Sequence, residues 1–251
     1  MKQKVFLSLF IALISCHTIV TGQAVNKNSK KVLPNTSQTK LTKNTVLIAD
    51  TLQHPETRVK ITTSLGIIIV RLSNKTPLHR DNFIKLVQAH FYDSLLFHRV
   101  IAGFMIQGGD PASKNAKAGS FLGEGGVGYT IPAEFDSTLY HKKGALAAAR
   151  DDNPQKASSG CQFYIVEGKK LNDQALDMAE QKIGSKLSPA KRMTYKMNGG
   201  TPLLDTRYTV FGEVESGIEV VDKIALEPVD NNNRPLINMT MKMEVLKEEI
   251  K

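Results

Sequence analysis

The sequence of 251 residues lacks tryptophan and contains only two cysteines, Cys16 and Cys161. So few thiols cannot form the clustered ligand set of a structural zinc site, and the six histidines form no pair at ligand spacing. A framework of several disulfides is excluded for the same reason. The fold must therefore rest on a hydrophobic core, for which roughly 200 residues are ample. We expect neither a metal nor a cofactor.

Acidic residues are absent from the first 45 positions, where seven lysines give a charge of +7. The whole chain carries +9, so residues 46–251 contribute only +2. A nucleic-acid-binding domain would carry its positive charge on the folded part. The charge distribution therefore argues against nucleic acid as a partner.

The N-terminus has the pattern of an export signal. Lys2 and Lys4 precede the apolar run VFLSLFIALIS, which has the length of a signal-peptide core and is too short for a comfortable membrane span. We predict a signal peptide over residues 1–22 and an exported protein.

The sequence is compatible with two different cleavage sites at the end of this signal peptide. The residues LISC resemble the lipobox of bacterial lipoproteins, in which Cys16 is lipidated and holds the protein at the membrane of the cell envelope. Cleavage near TGQA would instead remove Cys16 and give a periplasmic protein without a lipid. Neither ending leaves a transmembrane helix. Cys161 is then the only cysteine certain to remain in the domain, which excludes a disulfide within it.

Composition divides the rest of the chain. Residues 23–45 are rich in Asn, Lys, Ser and Thr and lack hydrophobic periodicity, which predicts a flexible linker before a domain over 46–251. A charged, helix-prone segment interrupts this domain and predicts a helical insertion at about 169–200, packed on its outside. Three of its apolar residues recur at helical spacing: Ala175, Met178 and Ala179.

Most of the domain has the pattern of β-structure. Alternating or β-branched apolar residues predict strands at 58–63, 66–72 and 237–247, with more between Phe97 and Val166. Two short helices are also expected. One follows a capping Thr76 and Pro77, and the other covers 217–225. Many strands with two separated helices predict a closed β-barrel or a sandwich with helical caps.

Three known motifs of binding or catalytic sites are incomplete here or lack the structural context that they require. GEGGVG at 123–128 matches a dinucleotide fingerprint, but the following YTIPAEF contains a proline and is no helix, so a glycine-rich turn is the better interpretation. The Walker pattern of a phosphate-binding loop is missing. His98 and Asp110 could be combined with a serine into a hydrolase triad, but no G-x-S-x-G elbow is present.

The stretch FHRVIAGFMIQGGDP, residues 97–111, combines charged, apolar and amide side chains. On an extended chain Arg99, Met105 and Gln107 share one face, and Gly103 permits a bend between them. In SGCQFYIV, residues 159–166, Gln162 and Tyr164 also share a face. Two ordinary edge strands with polar outer faces would explain the same spacing.

The three blocks FHRVIAGFMIQGGDP, GALAAARDDNPQKASSGCQFYIV and LLDTRYTVFGEV resemble, in this order, the signature blocks of the cyclophilins, a family of peptidyl-prolyl cis-trans isomerases. The resemblance covers roughly residues 57–248 apart from the insertion. It implies a closed eight-stranded antiparallel β-barrel capped by two helices, with the active site on its outer face. It also implies proline-containing polypeptides as partners. No heptad repeat demands association, so a monomer is expected.

The resemblance also assigns roles to residues. Matched by position, the catalytic arginine is Arg99 and the substrate-holding glutamine is Gln107. His98 has an accessory role beside them. The proline pocket is implied to consist of Phe104, Met105, Tyr164 and Leu204. The groove for the residues preceding proline is implied to consist of Gln162 and the backbone around Ala149 and Arg150. Tyr208 is implied to be a further substrate-binding residue.

The chain departs from the family pattern at four of these or neighbouring positions. Tyr164 replaces the usual phenylalanine, Tyr208 a frequent histidine, and Arg150 a frequent asparagine. Leu203 occupies the position of a tryptophan that helps familiar members bind cyclosporin, which argues against strong cyclosporin binding.

Two functions are expected from this sequence. The first is isomerisation of X-Pro bonds in exported proteins. The alternative is a proline-peptide binding module or holdase without significant turnover, with the insertion as its docking surface. Arg99 favours the enzyme, because a pure binder does not require its guanidinium.

Overall fold

The structure, a computed structural model, describes residues 55–247. The predicted signal peptide at 1–22, Cys16 and the linker at 23–45 lie outside the described residues, as does the predicted start of the domain at residue 46. No helix within the described range combines the length and apolar character needed to cross a bilayer.

The two predicted N-terminal strands are confirmed and form a hairpin. Strand β1, Arg58–Thr63, pairs with β2, Gly66–Leu72, in antiparallel register. Alternate residues such as Val59 and Val70 are fully buried, as the period of two in a half-buried strand requires.

Eight further strands follow along the chain. They are β3 (Phe97–Ile101), β4 (Met105–Gly108), β5 (Thr130–Ile131), β6 (Ala145–Ala148), β7 (Ser158–Ser159), β8 (Phe163–Val166), β9 (Val210–Ser216) and β10 (Met241–Val245). The main sheet has the order β10-β1-β2-β9-β6-β8-β4-β3, and β5 pairs with β7 separately. The prediction of a mainly β fold with an eight-stranded antiparallel sheet is confirmed.

The expected closure of this sheet into a full barrel is not shown. The order ends at β10 and β3, which share no ladder. One isolated bridge between Leu96 and Thr240 joins the residues that precede these two strands. The sheet is therefore a curled half-barrel.

Both predicted capping helices are present and pack on the main core. Helix α1, Pro77–Gln88, contributes Phe83 and Val87 to the same buried cluster as the inward residues of the sheet. The later helix, Ile218–Ala225, buries one face in that cluster, formed by Val220, Val221, Ile224 and Ala225. It is α4, because the insertion supplies two helices before it.

The insertion is helical as predicted, with α2 at Asp173–Ile183 and α3 at Pro189–Met197. Of the three residues noted at helical spacing, Ala179 is buried, whereas Met178 is 51% exposed. Leu176 and Tyr195 are fully buried and anchor the insertion. Spacing alone does not reveal which side of a helix a neighbouring element covers.

The two ends of the insertion meet at a pair of glycines. A Cβ on Gly168 would lie 2.6 Å from the Cα of Gly200, so the backbones approach too closely for a side chain. Both glycines also have positive φ, which disfavours other residues. The insertion therefore leaves and rejoins the sheet domain at one narrow point.

The N-terminus of α1 is capped by a different residue from the predicted one. Thr76 occupies the capping position, but its side chain makes no capping hydrogen bond. The carboxylate of Glu134 accepts from the backbone N–H groups of Leu78 (3.1 Å) and His79 (3.0 Å) instead. A helix start is favoured by negative charge and by acceptors for its free N–H groups.

The same carboxylate holds the ring of His79. Nδ1 of His79 lies 2.7 Å from Oε2 of Glu134, and Nε2 lies 2.9 Å from Oγ of Ser158 on β7. Burial lowers the pKa of His79, so the ring is neutral, donates to Glu134 and accepts from Ser158. This Ser–His–carboxylate arrangement is structural, because Ser158 is completely buried.

We expect Glu134→Gln to lower the free energy of unfolding by about 1–2 kcal/mol, the usual cost of losing a helix cap. The amide keeps the size of the side chain, but its NH₂ group replaces one accepting oxygen and faces an N–H donor. Denaturant unfolding of both proteins measures the difference, and an unchanged unfolding free energy would contradict the assignment of this cap.

Candidate active site

The three central side chains of the predicted site lie in one row across neighbouring strands. Arg99 on β3 pairs with Gln107 on β4, and Gln107 pairs with Tyr164 on β8. Neighbours in the chain such as Ile106 and Phe163 point into the main core. The alternation of strand side chains thus places the row on the opposite face of the sheet.

A cavity of about 130 Å³ opens on that face. Its lining comprises nine of the residues predicted for the site: Arg99, Phe104, Met105, Gln107, Ala149, Arg150, Tyr164, Leu204 and Tyr208. The interpretation as edge strands is wrong for β4 and β8, which lie inside the sheet order, whereas β3, which carries Arg99, lies at its end. The roles of the lining residues stay predictions.

A directed hydrogen-bond chain fixes the polar side of the cavity. Nη1 of Arg99 donates to Oε1 of Gln107 at 3.3 Å, and Nε2 of Gln107 donates to Oε1 of Gln162 at 3.0 Å. Nε2 of Gln162 then donates to the carbonyls of Gly123 (2.8 Å) and Gly125 (2.7 Å). Each amide has its orientation set by its neighbours.

The guanidinium of Arg99 is half-buried. Burial lowers its pKa, but an arginine stays charged in proteins. Its partner in the hydrogen-bond chain is an amide, which accepts a hydrogen bond without neutralising the charge. Arg99 therefore presents a cation beside the apolar side chains of Phe104 and Met105.

A second, larger hollow of about 440 Å³ adjoins the cavity and shares Gln107, Ala149 and Arg150 with it. The glycine-rich residues 123–128 line it, followed by β5 rather than a helix. A Cβ on Gly125 would lie 1.9 Å from Oδ1 of Asp110, so the loop needs glycine there. All three residues predicted for the groove preceding proline line this hollow: Ala149, Arg150 and Gln162.

Two of the departures from the family pattern contact each other. The guanidinium carbon of Arg150 lies 4.7 Å from the ring centre of Tyr208, a cation–π contact. Tyr208 in turn packs edge-on against Tyr164, with ring centres 6.0 Å apart. Leu203 does not line the cavity.

His98 lies beside the cavity rather than in its wall. Its ring is buried, and neither ring nitrogen has a well-formed hydrogen bond within residues 55–247. Burial lowers its pKa to about 4, although the charge of Asp110 opposes this shift. His98 is thus neutral near pH 7, and its ring packs close to the backbone of Gly123.

Sequence reasoning missed the buried residues behind the cavity. The hydroxyl of Tyr164 lies 2.9 Å from Nε2 of His141, whose Nδ1 lies 3.0 Å from Asp205. The only available signal was the tyrosine at a position where phenylalanine is usual, since a buried hydroxyl needs a partner. No group of residues suited to a metal ion occurs in the described part of the chain.

Comparison with known proteins gives consistent results. Residues 58–245 match the family model "Cyclophilin type peptidyl-prolyl cis-trans isomerase/CLD". The chain is 33% identical over 186 residues to the Staphylococcus aureus protein named "Putative peptidyl-prolyl cis-trans isomerase", covering 74% of this chain and 89% of that one.

Two further proteins are similar over most of the domain. A "Putative bifunctional phosphatase/peptidyl-prolyl cis-trans isomerase" of Streptococcus pyogenes is 35% identical over 179 residues, which cover 70% of this chain but only 36% of that protein. The crystal structure of a cyclophilin type isomerase of Cryptosporidium parvum has a TM-score of 0.58 at 23% identity and covers 77% of this chain and 99% of its own.

We expect acid to destabilise the fold through His98. The unfolded chain binds a proton near pH 6.5, the folded one only near pH 4, so stability is lost as the pH falls between these values. The loss attributable to this residue reaches about 3 kcal/mol. The free energy of unfolding, measured with urea at several pH values, should fall less between pH 6.5 and 4 in His98→Gln than in the wild type. An equal pH dependence in the two proteins would contradict the assignment.

Proposed function

The chain belongs to the cyclophilin family of peptidyl-prolyl cis-trans isomerases, and we propose that Arg99 assists its isomerisation of X-Pro bonds in exported polypeptides. The single observation that supports this role is the position of a half-buried guanidinium on the rim of an apolar cavity, in one row with Gln107 and Tyr164.

The cavity suits a prolyl ring. Its apolar walls are Phe104, Met105 and Leu204, with the ring of Tyr164 beside them. Proline is the residue whose side chain is a compact apolar ring attached to its own backbone nitrogen. Insertion of this ring brings the X-Pro bond to the polar side, where Arg99 and Gln107 lie.

The reaction requires rotation and no bond cleavage. Amide resonance gives the X-Pro bond a barrier of about 18–20 kcal/mol, and rotation at 25 °C takes tens to hundreds of seconds. In the twisted state resonance is lost and a lone pair remains on the prolyl nitrogen. A planar, permanently charged donor can stabilise that nitrogen while its second branch holds the prolyl carbonyl.

Arg99 alone can supply only part of the required reduction in the rotation barrier. An acceleration on the order of 10⁵ corresponds to about 7 kcal/mol, and a charge-assisted hydrogen bond contributes roughly 1.5–3 kcal/mol. The remainder must come from contacts that are stronger in the twisted state than in the ground state. Gln107 and the adjoining hollow are placed to hold the rotated carbonyl and the residues before proline.

Export defines the proposed clients. Lys2, Lys4 and the apolar run behind them support delivery to the cell envelope. Unfolded or flexible exported chains that contain proline are then the substrates. A holdase or peptide-binding module is the competing function and would bind the same chains without turnover.

We expect Arg99→Ala to lower kcat/KM for a prolyl tetrapeptide by roughly 10- to 150-fold, the equivalent of one charge-assisted hydrogen bond. Arg99→Lys should recover only part of this loss, because ammonium lacks the planar fork. A protease-coupled isomerisation assay measures all variants, with circular dichroism to check the fold.

Arg80→Ala is the matched control, since Arg80 lies on α1 and contacts Asn74 and Asp81 instead of the cavity. It should isomerise the peptide at the native rate. Native turnover by Arg99→Ala would refute the proposed role, and peptide binding without turnover by the wild type would favour the binding module.

The intact mass of the mature protein decides between the two N-termini. A lipoprotein begins at Cys16 and carries the added mass of a diacylglycerol and an amide-linked acyl chain, whereas cleavage near TGQA gives an unmodified chain without Cys16. In the first case Cys16→Ser should move the protein from the membrane fraction to the soluble fraction. A mature chain that retains residues 1–15 would contradict both endings.

A further inference from the structure

One wall of the cavity is attached to a buried network that the proposed reaction does not use. The ring of Tyr164 lines the cavity, while its hydroxyl lies 2.9 Å from Nε2 of His141. The two rings also stack, with centres 6.0 Å apart. His141 is completely buried. A hydroxyl at this position is one of the departures from the family pattern.

The direction of each hydrogen bond follows from the partners. Nδ1 of His141 lies 3.0 Å from Oδ1 of Asp205, and a carboxylate can only accept, so Nδ1 carries the proton. Burial lowers the pKa of His141, which leaves Nε2 unprotonated and able to accept from Tyr164. The ring therefore transmits a fixed orientation from Asp205 to the cavity wall.

Asp205 is bound from the insertion as well. The hydroxyl of Tyr195, on α3, donates to Oδ2 of Asp205 at 2.8 Å, and the backbone N–H of His141 donates to Oδ1 at 2.9 Å. Tyr195 is completely buried. Asp205 directly follows Leu204, a second wall of the cavity, and its N–H closes the short 3₁₀ turn Pro202–Leu204.

We infer that Tyr195 of the insertion is a positioning residue for the proline cavity, acting through Asp205 on Leu204 and through Asp205 and His141 on Tyr164. The inference rests on the proposed function of the cavity. It gives the insertion a part in the reaction, because two of the cavity walls are held by a side chain that the insertion supplies.

Positioning predicts a specific kinetic signature. The walls hold the prolyl ring in the ground state and in the twisted state alike, so their loosening weakens uniform binding and raises KM. Arg99 and Gln107 are untouched, so kcat should change little. A network that only attaches the insertion to the domain would affect stability and leave both constants unchanged.

The chain offers a matched control for this distinction. The hydroxyl of Tyr140 donates to Oγ1 of Thr194 on the same helix α3 at 3.1 Å, and its ring packs on Tyr195 with centres 5.6 Å apart. Tyr140→Phe and Tyr195→Phe each remove one hydroxyl that joins α3 to its surroundings. Only Tyr195→Phe removes a hydrogen bond to Asp205.

We expect Tyr195→Phe to raise KM for a prolyl tetrapeptide roughly three- to tenfold, the equivalent of one net hydrogen bond, with kcat within about twofold of the native value. Tyr140→Phe should leave both constants unchanged, while thermal unfolding checks the fold of each. Native KM in Tyr195→Phe, or an equal rise in both variants, would overturn the inference.

A double-mutant cycle tests the path. Tyr164→Phe keeps the aromatic wall of the cavity but removes its hydrogen bond to His141. Tyr195→Phe should therefore raise KM by a smaller factor in that background than in the wild type. If the double variant raises KM by the product of the two single factors, transmission through Tyr164 is refuted. If the wild type fails to isomerise any peptide, the proposed function fails, and the dissociation constant of the same peptide tests the positioning separately.

Discussion

The site depends on one guanidinium that is kept charged and oriented beside an apolar cavity. Burying a cation is costly unless hydrogen bonds replace water. The amide of Gln107 supplies such a bond to Arg99 and is itself fixed by Gln162. A carboxylate in its place would also accept the bond, but it would neutralise the charge on which the proposed stabilisation of the prolyl nitrogen depends. The choice of an amide thus orients the cation and leaves its field available to a substrate.

Three of the four positions where this chain departs from the family pattern contact one another. Arg150 lies over the ring of Tyr208, and Tyr208 packs on Tyr164, whose hydroxyl continues to His141. The ring of Tyr164 lines the cavity, while its hydroxyl lies behind the cavity in the buried network.

Local patterns predicted what depends on local geometry. A period of two was enough to place Arg99, Met105 and Gln107 on one face. The proline at the first turn of α1 and the helical spacing in the insertion were enough to locate those helices, although Thr76 does not cap α1. Contacts between distant segments were beyond these patterns. Glu134 caps a helix 56 residues away in the chain, and His141 contacts Asp205 across 64 residues. Which face of α2 is buried, and whether the sheet edges meet, also depend on such tertiary contacts.

The location of the insertion explains how a surface addition can affect the cavity. It leaves the domain shortly after β8, which carries Tyr164, and rejoins it shortly before the 3₁₀ turn that carries Leu204. Lengthening a loop costs little, since each doubling adds only about 0.6 kcal/mol. An insertion between two walls of one cavity must nevertheless fit the spacing of those walls. Its narrow base at Gly168 and Gly200 and its bond from Tyr195 to Asp205 fix that spacing from both sides.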